Sequence, residues 1–287
     1  MTRSPLPSVL VVGLGLIGGS VGLALRDHGV QVRGVTRRED ALHKAVMRGA
    51  VQGGSLELAD EVGNAGLILV AAPTRTSIRL LREVGALASP GAILTDACSS
   101  KQEVVRAMDV LPETVRAVGG HPMAGREVAG IEAADPGLFE GATWVLTETE
   151  RTDEESRGVC ERLARLCGAE PLWVGAEEHD KAVASISHLP LLTAAALVLA
   201  AEDADSELVW RLAASGFRDS TRLAAGEPEM GADLALTNAP ALAEAYALFA
   251  EQLSALVDAA RGDDKTRLRG LLAQAARRRQ GMYGGGQ

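Results

Sequence analysis

Aromatic side chains are scarce in this sequence, with three Trp, two Tyr and three Phe in 287 residues. Positive charge is in deficit too: 29 Lys and Arg stand against 38 Asp and Glu, a formal net charge of −9. Phosphate backbones are held mainly by Lys and Arg, and single strands by stacking aromatics, so the composition argues against a general nucleic-acid binder and for a small-molecule partner. Cysteine is limited to Cys98, Cys160 and Cys167, without C-x-x-C spacing. Reduced, buried thiols are the expectation, not a disulfide framework. The five histidines, His28, His43, His121, His179 and His188, show no ligand spacing with Cys or acids, so no metal centre is expected. Long apolar runs are also missing. The longest Ala- and Leu-rich stretch, residues 189–201, is shorter than the roughly 20 residues of a membrane span. Residues 1–7 are proline-broken and unlike a secretory leader. A cytoplasmic protein without a membrane partner is the expectation.

What is present is a globular composition, 47% hydrophobic and 23% charged, near the average for folded domains. Up to about residue 175 short β-branched runs alternate with helical stretches. The runs at 9–12, 32–35, 67–71, 92–96 and 115–119 read as buried strands, and such alternation implies a parallel sheet with helices on both faces. Two further strands, 143–147 and 171–174, flank a helix at 153–166, where Val159, Leu163 and Leu166 recur at helical spacing. From His179 onward Ala and Leu dominate and β-branched clusters vanish. The expected architecture is α/β: a Rossmann-like, doubly wound, mostly parallel sheet over residues 1–177, followed by an all-helical substrate and dimerisation domain over residues 178–287. The broad apolar face of the helix at 241–261 suggests a homodimer packed through these helices.

The run Val9-Leu10-Val11-Val12 leads into Gly13-Leu14-Gly15-Leu16-Ile17-Gly18 and then a helix through Val21, Leu23 and Leu25. In that context the G-x-G-x-x-G pattern is a strong dinucleotide signal. Gly13 permits the tight turn, Gly15 lets the backbone approach a pyrophosphate, and Gly18 lets the helix pack closely on the sheet. The free N–H groups and dipole at the helix start attract the phosphates. Leu16, Ile17 and, after the strand at 67–71, Pro73 complete the expected cofactor contacts. An NAD site usually places an acidic residue at the end of the second strand for the ribose 2′-hydroxyl. Here that place reads Val35-Thr36-Arg37-Arg38. Guanidiniums at Arg37 and Arg38 suit a 2′-phosphate, so NADP is expected ahead of NAD, with Glu39 close enough to blur the charge count.

Further clusters follow the strands at 92–96 and 115–119 or open the helical half. They are Asp96-x-x-Ser99-x-Lys101, Gly120-His121-Pro122-Met123-Ala124-Gly125, His179-Asp180-Lys181-Ala182-Val183-Ala184, Ser187-His188-Leu189-Pro190 and Gly216-Phe217-Arg218-Asp219-x-x-Arg222. In this order, behind a dinucleotide turn, they make the chain resemble the prephenate and arogenate dehydrogenases of tyrosine biosynthesis over essentially its whole length. The resemblance implies oxidation at the ring carbon bearing the 4-hydroxyl, hydride transfer to a nicotinamide and loss of the ring carboxylate as CO₂. The products are 4-hydroxyphenylpyruvate from prephenate or tyrosine from arogenate. It makes His121 the general base, a role suited to a neutral imidazole, and Ser99 a bond to the same hydroxyl. It makes Arg222 the partner of a substrate carboxylate, and places Ser187, His188 and Glu127 near the substrate. Arg126 precedes Glu127 where Thr is common, and Leu191 stands where some prephenate-specific members carry a second histidine. That departure, with Arg37 and Arg38, looks more like the NADP-using, arogenate-accepting branch. The chain shows no additional small regulatory β-α domain, so feedback by tyrosine would act at the active site.

Two other readings compete. A β-hydroxyacid dehydrogenase of similar two-domain plan would need a lysine from the helical half as acid/base, and Lys181 is the nearby candidate. A non-catalytic dinucleotide-sensing protein would have little need for His121, Ser99 and Arg222.

Overall fold

The computed structural model of the chain describes residues 6–126, 128–204 and 206–283. It divides into two compact units, Met1–Ala239 and Pro240–Gln287. The first is built on one eight-stranded sheet of order β3-β2-β1-β4-β5-β6-β7-β8. Strands β1 (Val9–Val12), β2 (Val32–Val35), β3 (Gly54–Ser55), β4 (Leu67–Val70), β5 (Ile93–Asp96) and the start of β6 (Arg116–Pro122) run parallel. The far half of β6 pairs antiparallel with β7 (Thr143–Thr147), and β8 (Glu170–Trp173) lies parallel to β7.

The alternation of side chains explains why these strands read as uninterrupted apolar runs. β1 sends Val9 and Val11 into one core and Leu10 and Val12 into the other; β4 divides Leu67 and Leu69 from Ile68 and Val70 in the same way. Helices α1 (Leu16–Arg26), α2 (Glu39–Met47) and α5 (Glu154–Leu166) cover the first face, through residues such as Leu25, Ala45 and Leu163. Helices α3 (Thr74–Leu87) and α4 (Gln102–Asp109) cover the second, through Leu81, Val84, Val104 and Met108. A sheet buried on both sides has no polar face to display. α5 begins where a capping box forms: the Asp153 carboxylate accepts the Ser156 N–H at 2.8 Å, and the Ser156 hydroxyl accepts the Asp153 N–H at 2.9 Å.

Beyond the sheet the chain is helical. α6 (Ala176–Val183), a wide π turn (Ala184–His188) and α7 (Leu189–Asp203) form one continuous helix of 28 residues, longer than the apolar stretch at 189–201. By length and composition it could cross a membrane. Its buried His179, Asp180 and His188 make hydrogen bonds within the first unit, to His121, Lys101, Gln102 and Asn238. Helices α8 (Glu207–Leu212), α9 (Ser215–Ser220) and α10 (Pro228–Thr237) complete that unit, with a tight turn at Arg222–Ala225. The second unit holds α11 (Ala239–Arg261) and α12 (Lys265–Tyr283).

α1 can lie against the sheet only because position 18 has no side chain. A Cβ there would sit 2.0 Å from the Gly13 carbonyl oxygen and 2.8 Å from Val11 Cγ1. Gly18→Ala is therefore expected to lower stability in urea unfolding by about 1–3 kcal/mol, the usual cost of overpacking a filled core. A wild-type midpoint would mean that the helix can retreat freely.

Candidate active site

The strand order reverses between β1 and β4, where a doubly wound sheet opens a crevice beyond its carboxyl ends. The glycine turn lies there. Gly13 has φ +105°, its N–H donates to the Val35 carbonyl at 2.8 Å, and a Cβ on it would lie 2.4 Å from the Ala71 carbonyl oxygen. Gly15 occupies the N-cap of α1, where no side chain caps the helix, and the space a Cβ would take is open. An uncapped helix start beside empty space is what a pyrophosphate requires, so these residues fit a dinucleotide.

Two cavities flank the turn and share the wall Ala71, Ala72 and Pro73. The first, of about 740 Å³, is lined by Gly13 and Val35, by Leu56, Leu58 and Leu80, and by Arg37 at the end of β2. Glu57 and Glu83 also reach it. The two sequence-predicted arginines part company here. Arg37 faces the cavity, whereas Arg38 is folded back on Asp40 in a two-point ion pair at 2.9 and 3.0 Å. The Arg38 guanidinium holds the Asp40 carboxyl below its usual range.

The second cavity, of about 420 Å³, runs from Gly15, Leu16 and Ile17 past Ser99 and His121 to Arg126, Met230 and Leu234. Asp96, at the end of β5, immediately precedes the lining residues Ala97, Cys98 and Ser99. This fully buried carboxylate accepts the Gly120 and Cys98 N–H groups at 2.8 Å each and pairs with the buried Lys101 ammonium. A charge removed from water persists only when donors replace its hydration, and these donors fix the loop carrying Ser99 to the strand carrying His121. The two adjacent serines are also resolved. Ser100 is buried and donates to Thr237 Oγ1 at 2.9 Å, while Ser99 lines the cavity.

His121 is joined to a chain of polar groups. Its Nδ1 lies 2.8 Å from His179 Nε2, with the rings edge to face, and His179 Nδ1 lies 2.8 Å from Asp180 Oδ1. Asp180 also accepts the Lys101 and Gln102 N–H groups, at 2.7 and 2.9 Å. Burial, the neighbouring His179, Lys101 and His188 together push the His121 imidazole well below its usual range. It is neutral at physiological pH and able to accept a proton. His179 and Asp180 carried no assigned role in the sequence reading. Their one signal was the His-Asp pair opening a family-like segment.

The other sequence-predicted residues are more dispersed. His188 is fully buried; its Nδ1 accepts from the Asn238 amide at 3.1 Å, and burial drives it down to about 4. Ser187 is half-buried in the same π turn, and Arg222 is exposed in the turn Arg222–Ala225; none of the three lines either cavity. Glu127 lies outside the described residues, between the cavity-lining Arg126 and Val128. Lys181, on which the β-hydroxyacid reading depends, is exposed and paired with Glu177 at 2.6 Å, away from both cavities. The three thiols are buried and each is pushed up to about 12 by desolvation. They are inert packing groups.

A parallel sheet ordered 3-2-1-4-5-6, with a glycine turn at its switch point and a neutral imidazole in the adjoining cavity, defines a Rossmann-like dinucleotide-binding protein. The chain belongs to the prephenate dehydrogenase family. Residues 21–171 match that family's nucleotide-binding domain and residues 175–274 its dimerization domain. It is 35% identical to a prephenate dehydrogenase of Bacillus subtilis over 240 residues, which cover 80% of this chain and 64% of that protein. The match therefore spans a little under two thirds of the curated relative. Among solved structures, the arogenate dehydrogenase of Synechocystis superposes with a TM-score of 0.83 at 33% identity, over 96% of this chain and 99% of that one. The prephenate dehydrogenase of A. aeolicus, in complex with hydroxyphenyl propionate and NAD+, gives 0.91 at 28% identity, over 98% and 100%.

Proposed function

We propose that the protein is a nicotinamide-dependent dehydrogenase that oxidises and decarboxylates prephenate or arogenate in tyrosine biosynthesis, with residues 1–177 binding the dinucleotide and residues 178–287 serving substrate and dimer contacts. The observation that carries this reading is that His121 and Ser99 line one cavity, which shares a wall with the dinucleotide crevice. When bound, the nicotinamide supplies the hydride acceptor. His121 takes the proton of the 4-hydroxyl, Ser99 holds the same oxygen, and the apolar lining excludes water, which strengthens both contacts. Arg126 is the cation among the described residues lining this cavity, and it is steadied by Asp135 at 2.6 Å. Its lining position makes it a candidate for a substrate carboxylate, in competition with Asp135. Arg222 is assigned the same task by family resemblance. The position of Lys181, on the surface and bound to Glu177, disfavours the β-hydroxyacid alternative.

NADP is favoured over NAD because Arg37 lines the first cavity at the end of β2, where a 2′-phosphate would lie. Arg38, already neutralised by Asp40, contributes less. Leu192, Leu197 and Leu199 on α7 and Leu208, Trp210 and Leu212 on α8 are all at least 40% exposed. A second copy of the chain is the partner proposed for that apolar surface, in keeping with the dimerization domain of the family.

The decisive assay crosses prephenate and arogenate with NAD and NADP and follows absorbance of the reduced nicotinamide; turnover of neither substrate would overturn the reading. In that assay His121→Asn is expected to lower kcat by roughly 10²–10⁴ with little change in KM, the worth of a general base. Arg37→Asp is expected to move the NADP-to-NAD ratio of kcat/KM toward NAD, and an unchanged ratio would remove the cofactor assignment. Light scattering is expected to give the mass of a dimer.

A further inference from the structure

Asp180 and His179 are fully or nearly fully buried, lie outside the lining of the cavity, and are used by no step above. Their hydrogen bonds nevertheless have a direction. The burden of donors on Asp180 keeps its carboxyl low: the bond from His179 and the N–H groups of Gln102 and Lys101 outweigh the opposing effect of burial. An ionised carboxylate can only accept, so His179 Nδ1 carries a hydrogen and donates it. In the uncharged ring this leaves His179 Nε2 a bare acceptor, to which His121 Nδ1–H would donate across the 2.8 Å contact. That leaves His121 Nε2 as a lone pair. One buried carboxylate thus selects the tautomer of a ring two residues along the chain of bonds, and the tautomer it selects is the basic one.

The geometry points to a second role for the same chain: Asp180 and His179 are positioning residues for His121, and together they hold the proton that His121 removes, as an imidazolium at His179 beside the Asp180 carboxylate. This rests on the dehydrogenase reading. In the step, the substrate O–H bond breaks and an N–H bond forms at His121 Nε2. The His121 Nδ1–H bond breaks and an N–H bond forms at His179 Nε2. The electron pair left on oxygen would then expel hydride, for which a bound nicotinamide would be the acceptor. His121 ends neutral in its other tautomer, and the positive charge ends beside a negative one.

The surroundings make that transfer worthwhile. Lys101, paired with Asp96, lies near His121, and His188 is buried and held neutral from the π turn. A cation kept on His121 would face an ammonium with its own counter-ion already engaged. A cation on His179 would lie 2.8 Å from the Asp180 carboxylate.

Two measurements test this separately from the reaction. In substrate-free protein, imidazole ¹⁵N NMR should show His121 and His179 both protonated at Nδ1 and bare at Nε2. A His121 ring protonated at Nε2 would overturn the proposal, whether or not prephenate and arogenate are turned over. In the active enzyme, His179→Gln keeps an acceptor for His121 and a donor to Asp180 but cannot carry a proton. It is expected to lower kcat by about 10- to 100-fold with KM within about threefold, and to turn a bowed proton inventory in mixed H₂O and D₂O into a straight line. Asp180→Asn should shift the acid limb of kcat/KM down by about one pH unit or more, since the counter-charge that favours the protonated pair is gone. A straight wild-type inventory, or a limb unmoved in Asp180→Asn, would reduce both residues to structural supports and overturn the relay. Absence of wild-type turnover would remove the reaction alone, leaving the NMR result to decide the tautomers.

Discussion

Asp180 is a carboxylate with no access to water, and the arrangement around it follows from what such a group demands. An ionised carboxylate moved from water into a protein interior is costly unless donors surround it. Its donors come from two places: the N–H groups of Lys101 and Gln102 at the start of α4, and the His179 ring beside it on α6. The Asp180 backbone carbonyl in turn accepts the Asn238 amide, which also holds His188. A segment that follows a sheet strand is thereby tied to the helices that follow the sheet. The result is a His121 ring held at a fixed point by groups outside the cavity lining.

Asp96 does the complementary task on the other side. By drawing in Gly120, Cys98 and Lys101 it joins the ends of β5 and β6 into one rigid rim. Lys101 is the member common to both systems, its ammonium on Asp96 and its backbone N–H on Asp180. Catalytic geometry must hold to a fraction of an ångström, and two buried anions sharing one residue supply that tolerance more reliably than exposed ion pairs, which contribute little.

Much of this was legible in the residues alone. The apolar runs of β1, β4 and β5 read as strands buried on both faces, and the spacing of Val159, Leu163 and Leu166 marked α5. Gly13 takes the positive φ of a tight turn and Gly18 the close packing that their spacing implied, while Gly15 opens on free space. Other features left no local trace. β3 is two residues long and contains glycine, too short for periodicity to register. β6 continues through His121 and Pro122 because β7 comes back antiparallel beside it, and strand direction is not written into hydrophobic alternation. The direction in which Arg37 and Arg38 diverge depended on Asp40 two residues on. His179 and Asp180 were visible only as neighbours on a helix, since the groups that give them meaning are backbone N–H donors from residues about 80 positions earlier in the chain.

The partition formed by Ala71, Ala72 and Pro73 bears on how such a protein can diversify. Because the same three small residues border both cavities, enlarging any of them would intrude on both occupants at once, and selection has little freedom there. The outer walls share no such linkage. One is faced by Arg37, Leu56 and Glu83, the other by Arg126, Met230 and Leu234, with no residue in common. The shapes of the two cavities beyond that shared wall are therefore separable in this fold. Each is open to change by substitutions that leave the other undisturbed.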